Sequence, residues 1–145
     1  MSIIQQNFEK KLNEVHIPFN YQTIEDGHHL YRFSYQISKS RKLIVEVILQ
    51  ESDDSYVDGQ IIYRQIHNMA DRSKEVDAIK LLNELNGVQT GYYTLYLAGD
   101  GEIFLRNLVR LGTDPGPFYE TIVMGSAIAR NIVPILSKAL GSSAN

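Results

Sequence analysis

The sequence predicts an α+β domain, an antiparallel sheet of five or six strands with three helices in the order α-βββ(β)-α-ββ-α. Three observations predict it. Apolar residues recur at helical spacing near the start, the middle and the end of the chain. Between these segments the period drops to two, as in strands with one covered face. Asp26-Gly27 and Gly99-Asp100-Gly101 are turn signals that join neighbouring strands as hairpins, which makes the pairing antiparallel. No repeat, linker or low-complexity stretch divides the 145 residues, so 1–145 is read as a single domain. A chain of that length buries about two-thirds of the surface its unfolded state exposes.

The first helix starts at Ser2, which with Gln5 has capping-box spacing, and Ile4, Phe8, Leu12 and Val15 share one face. It ends near Val15, because a residue before Pro18 avoids helical backbone. Phe19, Tyr21 and Thr23 then alternate with polar residues, and after Asp26-Gly27 so do Tyr31, Phe33, Tyr35 and Ile37. A third strand runs from Leu43 to Gln50, and Gln60 to Ala70 reads as a fourth strand with an irregular end. Ser73 is the expected N-cap of the second helix, with Glu75 and Asp77 at the positive end of its dipole. Ala78, Ile79, Leu81, Leu82 and Leu85 form its apolar side, and Asn86-Gly87 is the expected stop.

The second hairpin, with a three-residue loop, sets Leu97 opposite Ile103, Leu95 opposite Leu105, Tyr96 opposite Phe104 and Tyr92 opposite Leu108. Pro115 and Pro117 suit the loop and first turn of the last helix. Its apolar face carries Phe118, Ile122, Ala129, Ile132, Val133, Leu136 and Leu140, widened by Val123, Met124, Ile128 and Ile135. Pro134 falls on the polar side, Gly141 closes the helix, and 142–145 read as a frayed tail.

Composition excludes several classes of function. The net charge of -3 and pI near 5.8 give no general attraction for phosphate backbones, so nucleic acid is not an expected partner. Lys39, Arg41 and Lys42, the densest basic group, read as a solvated turn. With no cysteine there is no disulfide, thiolate metal site or thiol nucleophile. The start, MSIIQQNFEKK, lacks the apolar core of a signal peptide, and no run reaches the roughly 18 apolar residues of a membrane span. The expected location is cytoplasmic, with no membrane partner.

No catalytic pattern emerges. His28 and His29, adjacent on a strand, point to opposite faces and do not chelate one ion. The acidic stretch Glu51–Gly59 lacks a calcium-loop pattern. Gly125-Ser126 lacks the second glycine of a nucleophile elbow, and Gly112–Gly116 precedes a helix without the lysine of a phosphate loop. The expectation is no enzyme activity, no cofactor and no metal.

What remains is surface. Tyr92, Tyr96, Phe104 and Leu108 on the second face of the hairpin, with Met124, Ile128 and Ile135 on the flank of the last helix, offer more apolar area than one sheet face and its helices need. They are the candidate residues for partner binding or a dimer interface.

The order of elements resembles the secretion-chaperone-like fold of the type III secretion chaperones, and in particular the YbjN-like family of small bacterial proteins. The resemblance is carried by LLNELNGVQTGYYTLYLAGDGEIFLRNLVRL, Leu81 to Leu111, followed by a long final helix. It implies a dimer-forming binding domain without enzyme activity. Secretion chaperones use sheet and helices to hold an extended client segment, and YbjN-like proteins are regulators or adaptors. The chain departs from the secretion chaperones in lacking their marked acidity.

The expected function is therefore a non-enzymatic protein-binding, chaperone-like or regulatory adaptor domain, acting as a homodimer on a protein partner or extended client peptide. Two alternatives stay open. One is a small ligand-binding or enzymatic domain with a site near the Gly112–Pro117 loop. The other is an immunity-type neutralising partner of another protein.

Overall fold

Six strands form one antiparallel sheet, β1 (Asn20–Thr23), β2 (His29–Ser38), β3 (Arg41–Leu49), β4 (Val57–Asn68), β5 (Thr94–Leu97) and β6 (Glu102–Leu111), in the order β1-β2-β3-β4-β6-β5. A computed structural model describes residues 1–144. The helices are α1 (Ile3–Glu14), α2 (Glu75–Val88) and α3 (Gly116–Leu140). The predicted α+β class and element order are those of the protein.

Alternation decides which face is covered. Tyr31, Phe33, Val45, Val47, Ile61, Tyr63, Leu105, Leu95 and Ile103 point to one side and merge with the apolar stripes of the helices in one core. Phe8 of α1 meets Tyr31 and Phe118 edge-on, at centroid distances of 5.2 and 5.4 Å. Arg32, Glu46, Ile62, Arg106 and Tyr96 point to the opposite, uncovered side.

Local chemistry sets the element ends. Ser2 Oγ accepts from Gln5 N at 3.1 Å and caps α1 as predicted. At α2 the cap moves. Asp71, not Ser73, accepts, taking the Ser73 N–H at 3.0 Å and its hydroxyl at 2.6 Å, and a 3₁₀ turn at Arg72–Lys74 leads into the helix. Nor does α2 stop at Asn86-Gly87. It continues to Val88, because the Asn86 carboxamide is engaged with β5 and the reversal falls on Gly91, whose φ of +57° suits glycine. Ile79, expected on the buried side, is 54% exposed. The irregular end predicted for β4 is a bulge around Gln65, whose φ is +51°. Arg41 donates to the Gln65 and Ile66 carbonyls there, and the Glu102 carboxylate accepts from Gln65 N.

The second hairpin has the predicted register for Leu97 opposite Ile103, Tyr96 opposite Phe104 and Leu95 opposite Leu105, but the expected pairing of Tyr92 with Leu108 does not form, because β5 begins only at Thr94. The segment after α3, read as frayed, is tied back, with Asn68 N donating to Ser143 Oγ at 2.9 Å and Ala144 N to Asn68 O at 2.8 Å. Asn145 lies outside the described residues.

By length and composition α3 could cross a membrane. In this fold its stripe of Phe118, Ile122, Ala129, Ile132, Leu136 and Leu140 lies in the core. It packs tightly against the sheet side at Gly125, where an added Cβ would sit 2.5 Å from the Tyr93 hydroxyl and against the Tyr63 ring. Both phenols use that proximity, Tyr63 donating to Ile122 O and Tyr93 to Thr121 O, the latter at 2.6 Å. Burial pushes both phenol pKa values up, so both keep their protons.

Gly125→Ala should therefore lower stability by about 2 kcal/mol or more, overpacking outweighing alanine's helix preference. Gly87, also helical, has open space around it. Gly87→Ala should raise stability by about 0.5–1 kcal/mol. Urea denaturation of both variants checks the contrast.

Candidate functional site

The uncovered face of the sheet is not uniformly polar. Across β4, β6 and β5 lies a cluster of Arg64, Phe104, Tyr96 and Arg106. The rings of Tyr96 and Phe104 stack at 5.5 Å and 24°, Arg64 lies over Phe104 at 5.5 Å, and Arg106 lies over Tyr96 at 4.5 Å. Leu108 stands beside them, 62% exposed. Arg64 also bonds Glu102 at 2.7 Å, and Arg32 bonds Glu46 at 2.5 Å. Among the described residues, Arg106 has no carboxylate within ion-pair distance.

The edge next to this cluster is open. Leu95 turns its N–H and C=O away from β6, to Asn86 Oδ1 at 2.7 Å and Nδ2 at 3.1 Å, so Thr94 and Tyr96 are the β5 residues that bond across to Arg106 and Phe104. The β5 ladder ends at Thr94 opposite Arg106. By the same alternation Leu108 and Arg110 direct their N–H and C=O to that side, where no strand of the described residues lies opposite. A groove of about 350 Å³ lies at the Arg110 end of this stretch, bounded by Tyr56, Val109, Phe118 and Thr121 and by the Gly112–Pro117 loop named for the alternative ligand site.

The predicted site residues thus divide. Tyr96, Phe104 and Leu108 share the uncovered face, and Tyr92, 72% exposed, stands just ahead of β5. Met124, Ile128 and Ile135 belong to α3, in the layer on the other side of the sheet, so the two groups do not form one patch. Ile128 and Ile135 are half-buried against the core, whereas Met124 is 40% exposed beside Val123. The alternation read from sequence found the aromatic set. The open edge has no signal in residue types, because it depends on where β5 ends.

At the Gly112–Pro117 loop, Asp114 Oδ1 accepts from Gly116 N at 2.9 Å, so the protein's own carboxylate fills the first turn of α3. The acids of Glu51–Gly59 diverge. Glu51 goes to His29 and Asp58 to Arg110, and no group of three acids or histidines is placed to hold a metal among the described residues. His28 lies with Ile48, Gln50, Asp58 and Gln60, away from Asp114, while His29 lies on the covered side of the sheet. No groove among those described joins either histidine to Asp114. Comparison with protein-family models and with curated proteins returns no match for the chain.

His67 is 1% exposed, beyond the β4 bulge, and neither ring nitrogen has a hydrogen-bond partner among the described residues. Burial lowers its pKa from the ordinary 6.5, and the nearby Arg41 charge lowers it further. The unfolded chain therefore takes up this proton first. The stability that a neutral His67 confers is present above about pH 6.5 and is lost as pH falls toward its lowered folded value. Thermal midpoints should fall on acidification from pH 7 to 5, by less in His67→Leu than in the parent.

Proposed function

We propose that the chain is a non-enzymatic protein-binding domain, chaperone-like or adaptor-like and cytoplasmic, that holds an extended segment of a partner protein. The observation that carries this reading is the unpaired stretch of β6 at Leu108 and Arg110, bordered by the Tyr96, Phe104 and Arg106 cluster. A peptide laid along this stretch continues the line of β5 and satisfies the outward N–H and C=O groups. Its alternate side chains reach the aromatic cluster on one side of the sheet and the groove beside Thr121 and Phe118 on the other. Tyrosine and arginine suit such a surface, giving contact area and directed polar contacts at low entropic cost. The resemblance to YbjN-like and secretion-chaperone-like proteins agrees with this reading, and so does the immunity-type alternative, which shares its binding logic.

Peptides selected from a displayed library should slow hydrogen exchange at the Leu108 and Arg110 amides on binding. Tyr96→Ser should weaken that binding by about 1–2 kcal/mol while leaving the fold intact. Binding without protection of those two amides would place the partner elsewhere.

Self-association has separate support in Val123 and Met124, exposed neighbours on the outer side of α3. Light scattering at tens of micromolar should give a dimer for the parent chain and a monomer for Met124→Glu. A parent that stays monomeric removes the homodimer from the proposal and leaves the peptide site standing.

A further inference from the structure

At the far end of the sheet from the proposed peptide edge, three side chains are joined in series. The Tyr21 hydroxyl lies 2.7 Å from His29 Nδ1, and His29 Nε2 lies 2.6 Å from Glu51 Oε2. Thr23 Oγ1 is 3.4 Å from the same phenol oxygen. The roles follow from the partners. A carboxylate only accepts, so His29 carries its proton on Nε2 and donates it to Glu51, leaving Nδ1 to accept from the Tyr21 O–H. That is the arrangement of an activated nucleophile: a hydroxyl on a base whose tautomer and orientation a third group holds.

The surroundings keep the series in place while leaving its working end open. The His29 side chain is only 10% exposed, and His28 Nδ1 accepts from Glu51 N at 3.0 Å, which ties the following loop to the hairpin. Tyr21 is 43% exposed at the outermost strand, so its hydroxyl can meet a reagent from solution. Structure alone does not require this geometry, because a hydroxyl at the margin of a sheet is satisfied by water.

We propose that Tyr21 is a reactive phenol that accepts an acyl group from an activated ester or thioester. Tyr21 Oη attacks the carbonyl carbon and forms the new C–O bond as its proton passes to His29 Nδ1. The bond from the carbonyl carbon to the leaving oxygen or sulfur then breaks, and the leaving group departs with the electron pair and takes the proton from His29. Glu51 acts as a positioning residue that holds the imidazole and offsets its transient charge. Local charge favours a neutral electrophile over a phosphoryl donor. Besides Glu51, the hairpin tip carries Glu25 and Asp26, and a Cβ on Gly27 of that tip would lie 3.8 Å from Glu51. The inference goes beyond partner binding and does not depend on it, since the two sites occupy opposite edges of the sheet.

The test uses p-nitrophenyl acetate on the full chain near neutral pH, with acetyl groups located by peptide mass spectrometry. Tyr56 and Tyr92, 59% and 72% exposed, are internal controls because both are more accessible than Tyr21. Tyr21 should acquire acetyl roughly a hundredfold faster than either, the low end of what a positioned base contributes. His29→Phe should bring Tyr21 down to the control rate. Glu51→Gln, a conservative change at a half-exposed position, should lower the Tyr21 rate without altering those of Tyr56 and Tyr92 in the same molecules. Acetylation that follows exposure alone, or a Tyr21 rate unchanged by Glu51→Gln in folded protein, overturns the proposal.

Discussion

The contact on which the architecture depends is the docking of α3 on the sheet at Gly125. Where α3 crosses the sheet a missing side chain lets two tyrosines take the space that a larger residue would fill. Tyr63 comes from β4, in the middle of the sheet, and Tyr93 from the chain just ahead of β5 at its edge. Their hydroxyls donate to carbonyls of adjacent residues on α3, Ile122 and Thr121. Two buried phenols are thus satisfied by backbone that already belongs to a helix, and both distances fix where α3 sits across the strands. The position of α3 in turn covers Ile61 and Leu105 and sets the wall of the groove beside β6.

With one face covered, the remaining freedom is at the margins, and the protein treats its margins unequally. At β5 the Asn86 carboxamide supplies both an acceptor and a donor to Leu95, doing for one residue what a further strand would do. On the other side, β1 stops at Asn20 opposite Arg32, and the longer β2 runs on. There Arg130 of α3 donates to Ile37 O at 2.6 Å and holds a charge over that stretch. The bulge of β4 is closed by Arg41 and Glu102. Against these guarded positions the stretch of β6 around Leu108 and Arg110 stands out, since its outward N–H and C=O groups face a groove rather than a side chain that closes them.

Periodicity was enough to reveal the class, the element order and the register of the second hairpin, because each rests on alternation within a short segment. Turn and cap positions were less legible where a side chain had a distant partner. Asn86-Gly87 has the composition of a helix stop, yet Asn86 is used nine residues on, at Leu95, and the helix passes through. Ser73 looks like a cap, but Asp71 is the stronger acceptor and takes it as a donor. Gly125-Ser126 was set aside as a nucleophile elbow for want of a second glycine, and what Gly125 does instead was hidden because the tyrosines that explain it are distant in sequence. The site divided in the same way. Alternation placed Tyr96, Phe104 and Leu108 together, whereas Met124, Ile128 and Ile135 were grouped with them by apolar character, which carries no information about which side of a sheet a helix covers. The series Tyr21, His29 and Glu51 spans three segments and could be assembled only once β1, β2 and the loop after β3 were in place.

The uncovered face also shows how an aromatic surface can stay in water without being buried. Each ring of the Tyr96 and Phe104 pair has a guanidinium against it, so its apolar faces are partly screened while its edges stay available. Arg64 is held in place by Glu102 and lies 3.7 Å from Glu46, and so is not free to move with a ligand. Among the described residues Arg106 has no such carboxylate, and in the proposed complex it would leave the Tyr96 ring for one brought by the partner. A peptide that carries an acid two residues from an aromatic or aliphatic side chain would meet both groups on one face of its own strand, the charge at Arg106 and the apolar group beside Leu108. In the proposed peptide mode, the pairing of a fixed arginine with an uncommitted one would favour an acidic extended segment over a neutral one.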